Sequence, residues 1–239
     1  LDYQRLCQEV THIVHAAGNV KLNQPLEEAR RSAVESARHV VTMARQCTGF
    51  RKLEFISTVG VAGRTPGLIP EQPLTHRREF HNTYEQAKAE AEAFLLKQVG
   101  EGLPATIHRP SMVVGDSRTG AIVHFQVFYY LAELFSGRTT RGLVPATGRV
   151  RLDIIPSDYV ARALYLSSQR ADAVGHIFHL CSGPVQSVRI DDLSEELRRL
   201  FQLHGDRLPR LRRIAPRWIR WALPVLRAVV PAKTGRRLQ

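Results

Sequence analysis

The chain has 239 residues, 44% of them hydrophobic, enough to bury one full core and too many for a disordered polymer. Its three cysteines, Cys7, Cys47 and Cys181, form no CxxC pair and have no histidine at zinc-ligand spacing, so neither a disulfide framework nor a metal site is expected. Ten units of the formal net charge of +12 are carried by one segment, since Arg207 to Gln239 hold ten basic and no acidic side chains, and the nearly neutral remainder argues against a general nucleic-acid face.

Short β-rich runs alternate with longer helical patterns, which predicts an α/β fold with a parallel sheet. Residues 11–17 read as a buried strand. Residues 26–46 follow as a helix, with Val34, Ala37, Val40, Val41 and Ala44 at helical spacing. Residues 53–57 are the next strand, and a loop rich in glycine and proline runs to about Phe80. A helix from Asn82 to Val99 is closed by Gly100 and Gly102, and residues 105–108 form a third strand. Further on, 121–135 reads as a helix, 150–155 as a strand, and a helix near Ser157–Asp158 ends at about Ser168. Residues 176–180 are a last strand and 190–201 a helix with Asp191 and Asp192 at its start. The body therefore reads as four or five βα units in one open sheet. No run of about 20 uncharged apolar residues exists, so no transmembrane span is expected.

The sharpest local signal is Tyr84-Glu-Gln-Ala-Lys88, because residues four apart on a helix share a face and two such heads can reach one substrate. A neighbouring ammonium is expected to lower the phenol's pKa and make Tyr84 a proton donor or acceptor near neutrality. The spacing alone is weak, and its context strengthens it. Upstream, a strand ends in Ser57-Thr58 before a glycine-rich turn, and hydroxyls at the carboxyl end of a parallel strand face the ligand crevice.

Together these residues resemble the extended short-chain dehydrogenase/reductases. Phe55-Ile-Ser-Thr-Val-Gly-Val-Ala-Gly63 is similar to that family's strand ending in the catalytic Ser or Thr, and alignment on Gly63 puts Thr58 in that place. Val14-His-Ala-Ala-Gly18 resembles the strand end beside the cofactor's adenosine-proximal ribose and pyrophosphate, and Ile107-His-Arg-Pro-Ser-Met-Val-Val-Gly115 the stretch whose proline sits near the nicotinamide. Asp153 to Ala161 and His179-Leu-Cys-Ser-Gly183 resemble segments of fatty acyl-CoA and thioester reductases, the male sterility branch. The resemblance spans about residues 1–203. It implies a Rossmann-like doubly wound parallel sheet, with Thr58, Tyr84 and Lys88 catalytic. His15, Ala16, Ala17, Gly18, Ser57, Tyr84, Lys88, Pro110 and Ser111 would contact the cofactor, NADP or NAD with NADP favoured. It also implies an acyl thioester substrate, on CoA or an acyl carrier protein, reduced through a hemithioacetal to an aldehyde or alcohol. A nucleotide-sugar epimerase or hydroxysteroid dehydrogenase would use the same three residues.

Two departures stand out. Ala33-Val-Glu-Ser-Ala37 aligns where the family has Asn-Val-x-Gly-Thr, so the Asn that supports the proton relay is missing. The family's first strand and its Gly-x-x-Gly-x-x-Gly turn have no counterpart either, and Gly60-Val-Ala-Gly63 does not replace them. Since the first strand here resembles the family's fourth, the sheet is expected to lack its first three strands, and the chain alone to be poorly soluble and inactive. A catalytically inactive scaffold is the alternative of another class. The histidines His12, His15, His108, His176 and His179 lie in strands, where core or edge positions outnumber catalytic ones.

The expected division is residues 1–205 as the reductase part and 206–239 as a basic, amphipathic helical tail broken by Pro216, Pro224 and Pro231. Arg210, Arg213, Arg217, Arg220 and Arg227 fall in one arc, with Trp218 and Trp221 among the apolar positions. This suits either peripheral contact with an anionic membrane or packing on the body, and a cytoplasmic protein that binds no nucleic acid.

Overall fold

The computed structural model describes residues 2–125 and 127–215. It opens with α1 (Tyr3–Glu9), whose cap Asp2 accepts the Gln4 amide at 3.0 Å, and β1 (His12–His15). Helix α2 (Leu26–Arg30) continues through a π turn at Arg31–Glu35 into α3 (Ser36–Gln46). Its buried positions Ala29, Ala33, Ala37 and Ala44 are small and Val41 is the largest, so the helix approaches the sheet closely. After β2 (Lys52–Ile56) come a 3₁₀ turn at Val59–Ala62 and a loop to α4 (Thr83–Gly100), where Asn82 caps the helix by accepting the Glu85 amide at 2.9 Å. Strands β3 (Ala105–Pro110) and β4 (Met112–Val114) follow, then α5 (Val127–Ser136), β5 (Leu143–Pro145), β6 (Arg151–Leu152) and β7 (Ile154–Pro156). The rest is α6 (Ser157–Ser168), β8 (Ile177–Leu180), α7 (Gly183–Gln186), β9 (Val188–Arg189), α8 (Ile190–Leu203) and β10 (Arg212–Ile214).

These elements form two compact units that interleave in sequence. The first comprises the residues up to Val123 with Asp153–Gln186, and the second His124–Leu152 with the described residues from Ser187 onward. In the first unit a parallel sheet has the order β1-β2-β3-β8. Alternation sends Leu53, Phe55, Ala105, Ile107 and Ile177 to the face covered by α3 and α4, where they meet Val41, Ala87, Ala91 and Leu95. Burying a side chain such as Leu53 or Ile107 contributes about 1.5–3 kcal/mol. On the opposite face Ile56 and Phe178 pack against Ile155, Val160, Leu164 and Leu180. Strand β1 lies at one end of the sheet, and its outer edge has no strand partner among the described residues.

In the second unit α5 packs on α8, with the Ser194 hydroxyl donating to the Phe135 carbonyl at 2.8 Å, and β10 runs parallel to β5. Residues 212–214, expected to be helical, are this strand. The register is held by the Arg212 amide donating to the Gly142 carbonyl at 2.7 Å and the Ala146 amide donating to Ile214 at 2.8 Å. The rest of the expected tail, residues 216–239, lies outside the described residues.

The strand expected at 150–155 is two short pieces, neither in the main sheet: β6 pairs antiparallel with β9, and β7 pairs with β4. The break falls at Asp153, whose carboxylate accepts the backbone amides of Ser182 and Gly183 at 2.9 and 2.8 Å. The main sheet therefore has four strands.

Candidate active site

One face of α4 is laid against the end of β2. Tyr84, Lys88 and Glu92 succeed one another at intervals of four, and each engages a different residue of the strand end. The Thr58 hydroxyl is the neighbour whose interaction lowers the pKa of the Tyr84 phenol. The Lys88 ammonium donates to the Ile56 carbonyl at 2.7 Å, and the Ser57 hydroxyl donates to Glu92 at 2.5 Å. Thr58 also accepts the Gly60 amide at 3.1 Å, which fixes its side chain as the cap of the turn that follows. The helix start is anchored separately, by the Thr83 hydroxyl donating to the Leu22 and Gln24 carbonyls at 3.2 and 2.7 Å.

The electrostatics differ from expectation at the phenol. Burial pushes the Tyr84 pKa above its ordinary value, and the Thr58 hydroxyl, rather than the Lys88 ammonium, works against that rise. Lys88 is turned to the Ile56 carbonyl and over the Phe55 ring, 5.3 Å from its centroid, and burial lowers its own pKa to about 8. A protonated phenol at neutral pH is a proton donor.

The other expected site residues separate into two groups. Ala16, Ala17 and Gly18 follow β1 as an exposed strand end, with open space around Gly18. Pro110 ends β3 in register with Leu180. His15, Ser57 and Ser111, by contrast, turn their side chains into the protein. The His15 ring is buried beside Phe55 at 5.3 Å, its pKa lowered by burial and by the nearby Lys88. Ser57 is 2% exposed and committed to Glu92. The Ser111 hydroxyl is buried without a hydrogen-bond partner among the described residues. The side chains of His15 and Ser57 are engaged within the protein. Ala33, at the position where the resemblance implies Asn, is buried in the π turn that packs on α4 and offers no side-chain acceptor.

Two buried ionic groups were not anticipated. Arg109, fully buried on β3, pairs with Glu92 through Nη2 to Oε1 at 2.6 Å and Nε to Oε2 at 3.2 Å. On the other sheet face Glu54 accepts from His108 at 2.6 Å and from the Ser167 hydroxyl at 3.0 Å, and pairs with Lys52 at 3.0 Å. Glu92 was within reach of sequence reasoning, since it stands one further interval of four beyond Tyr84 and Lys88.

The described residues offer places for part of a reduced nicotinamide cofactor. The Lys88 ammonium suits a ribose hydroxyl, and the strand end at Ala16–Gly18 is open to a ligand. The pyrophosphate wants a glycine-rich turn at a helix start, which the sequence does not contain. Among the described residues no helix is long and apolar enough to cross a membrane.

Known proteins resemble this chain in sequence and in fold. The terminal R domain from the myxalamid PKS-NRPS biosynthetic pathway superposes with a TM-score of 0.74 at 28% identity, over 95% of this chain and 56% of that one. The non-canonical nonribosomal peptide synthetase FrzA of a Cladobotryum species is 27% identical over 189 residues, 75% of this chain and 18% of its own length. The glycine betaine reductase ATRR of Emericella nidulans is 28% identical over 203 residues, 83% of this chain and 15% of its own. The chain thus spans less than a fifth of these two relatives. The family model described as male sterility protein matches residues 1–164, more than two thirds of the sequence, and the chain belongs to that family of NAD-binding domains.

Proposed function

We propose that the chain is the substrate-facing part of an NAD(P)H-dependent reductase that acts on the carbonyl of an acyl thioester. The observation that carries this reading is the placement of Tyr84 beside Thr58 at the carboxyl end of an inner strand, with Lys88 one turn along the same helix and bonded to that strand end. Thr58 and Tyr84 hydrogen-bond the substrate oxygen, and Tyr84 donates the proton as that oxygen gains charge. Lys88 holds the cofactor ribose, assisted by the strand end at His15–Gly18 and the backbones of Ser57, Pro110 and Ser111. The bound nicotinamide supplies the hydride. NADP is the favoured form.

Thioester specificity is supported by the likeness to an R domain of a PKS-NRPS pathway and to a nonribosomal peptide synthetase. An acyl carrier protein is accordingly the partner we assign. The basic segment 207–239 is assigned peripheral contact with anionic lipid, tested by vesicle co-sedimentation with and without those residues at rising salt.

The deciding experiment offers acyl-CoA, acyl carrier protein, sugar nucleotides and steroids to the full-length protein and follows cofactor absorbance. Turnover of the thioesters, lost by about 10²–10⁴-fold in Tyr84→Phe, is the expected result. Turnover of sugar nucleotides alone would overturn it.

A further inference from the structure

The loop between the Thr58 turn and α4 is closed at its base and gripped near its middle. At the base the Arg64 amide donates to the Glu79 carbonyl at 2.9 Å, and Gly63, at φ +57°, lies so close that a Cβ would overlap the same oxygen. Arg78 reinforces the closure by donating to the Val61, Leu74 and His76 carbonyls at 2.6, 3.0 and 3.1 Å. Further along, the guanidinium of Arg109 donates to the Pro70 and Gln72 carbonyls at 3.2 and 3.0 Å. Its remaining Nη1 proton goes to His179 Nε2 at 3.2 Å, and the other two donors hold Glu92.

All five guanidinium donors are thereby used, which is the condition for burying an arginine without cost from unpaired protons. His179 must carry its proton on Nδ1 to accept this bond, and burial together with Arg109 keeps its pKa below the ordinary value. The acceptor side is equally committed. Glu92 Oε2 takes both the Arg109 Nε–H and the Ser57 hydroxyl, so one carboxylate touches the residue adjacent to Thr58 and the cation that grips the loop.

We infer that Glu92 and Arg109 are positioning residues for the Thr58–Tyr84 pair: they join the strand end, helix α4 and the loop of residues 64–80 into one rigid body, making that loop a fixed wall of the substrate site rather than a moving lid. The inference rests on the function proposed above for Thr58 and Tyr84. Its physical basis is separate, because a carboxylate and a guanidinium so buried admit no other partners if either moves. Lysine cannot reproduce the grip, since an ammonium has three donors and no planar fork.

The test is amide hydrogen exchange on the full-length protein, resolved at residues 58–60 and 64–80, with the melting temperature and, for reductase turnover, kcat and KM recorded alongside. Arg109→Lys and Glu92→Gln are expected to speed exchange by about tenfold or more in both segments together and to lower kcat. Ser57→Ala, a mild change that keeps the fold, is expected to speed exchange at 58–60 while the loop stays protected. Replacing both charges with Met should restore the melting temperature without restoring slow exchange or kcat, which separates positioning from mere stability. Faster exchange in the loop alone in Arg109→Lys, or recovery of slow exchange in the double-Met variant, would overturn the inference. Tyr84→Phe distinguishes it from the proposed function: turnover surviving in that variant defeats the catalytic assignment and leaves the exchange result standing.

Discussion

Lys88 crosses from α4 to donate to the Ile56 carbonyl at 2.7 Å, tying the helix that carries Tyr84 to the strand that leads to Thr58. This position has a consequence for stability. The ammonium is buried, and its pKa falls from an ordinary 10.5 to about 8. Between those values the unfolded chain binds a proton that the folded chain does not, so stability rises with pH across that window. Below about pH 8 the folded state carries the whole cost of a buried charge, on the order of 3 kcal/mol. Urea unfolding of the native chain and of Lys88→Met at pH 7 and pH 10 should show the variant's relative advantage shrinking by about that amount. A difference between the two chains that does not change with pH would show Lys88 to be solvated.

Glu54, 1% exposed, is the centre of the other buried cluster. Burial raises its pKa, but hydrogen bonds from His108, Lys52 and Ser167 outweigh burial and leave it below the ordinary value. A depressed carboxylate stabilises the fold above its ordinary pKa of 4.5, and that stability is lost as pH falls through the folded value. Glu54→Leu leaves the Lys52 ammonium buried without a counter-charge and is expected to cost about 3–5 kcal/mol. Adding Lys52→Met should return most of that loss, because a well-packed apolar pair avoids the desolvation. Equal stability of the Glu54→Leu single and double variants in urea would refute the pairing.

The main strands were legible because β2 and β3 carry apolar residues at the positions that face α3 and α4. Lys52, Glu54 and His108 within the same strands were not, since each polar group is tolerated only because the fold brings the others to it. At the site, the spacing of Tyr84 and Lys88 placed them correctly on one helix face, but it could not show that burial dominates the phenol. Ser57 and Thr58 are adjacent in sequence and engage different residues of α4, which only the structure resolves. The strand expected at 150–155 failed at Asp153, where partners 29 and 30 residues away capture the carboxylate. Such distant hydrogen bonds leave no periodic trace.

Gly63 is the position where backbone and space both demand glycine. Its φ is +57°, and a Cβ would overlap the Glu79 carbonyl oxygen that closes the loop. Gly67, at φ +87°, has nothing within 4 Å of the point a Cβ would occupy, and so separates the two effects. Gly67→Ala is expected to cost about 1 kcal/mol through conformation alone. Gly63→Ala should cost at least about 2 kcal/mol and make residues 64–80 susceptible to protease, because it adds a backbone clash to the conformational penalty. Equal losses for the two variants in urea unfolding would show that the loop base is not closed as described.

Strand β1 exposes more than its outer edge. His12 and Val14 alternate with Ile13 and His15, and whereas Ile13 packs on the core under α3, Val14 is 52% exposed. An open edge beside an exposed β-branched side chain is a template for pairing with another strand, and natural sheets blunt such edges with charge. Residues 1–239 alone are therefore expected to self-associate with rising concentration in sedimentation velocity. Val14→Lys places an ammonium on that face without touching the buried residues Leu53 and Phe55 of β2. It should shift the population toward monomer while leaving the melting temperature within a few degrees, as expected of a surface change of about 0.5 kcal/mol or less. A single monomeric species at every concentration in the native chain would show that this edge is already protected, and the association expected from the sheet order β1-β2-β3-β8 would fall with it.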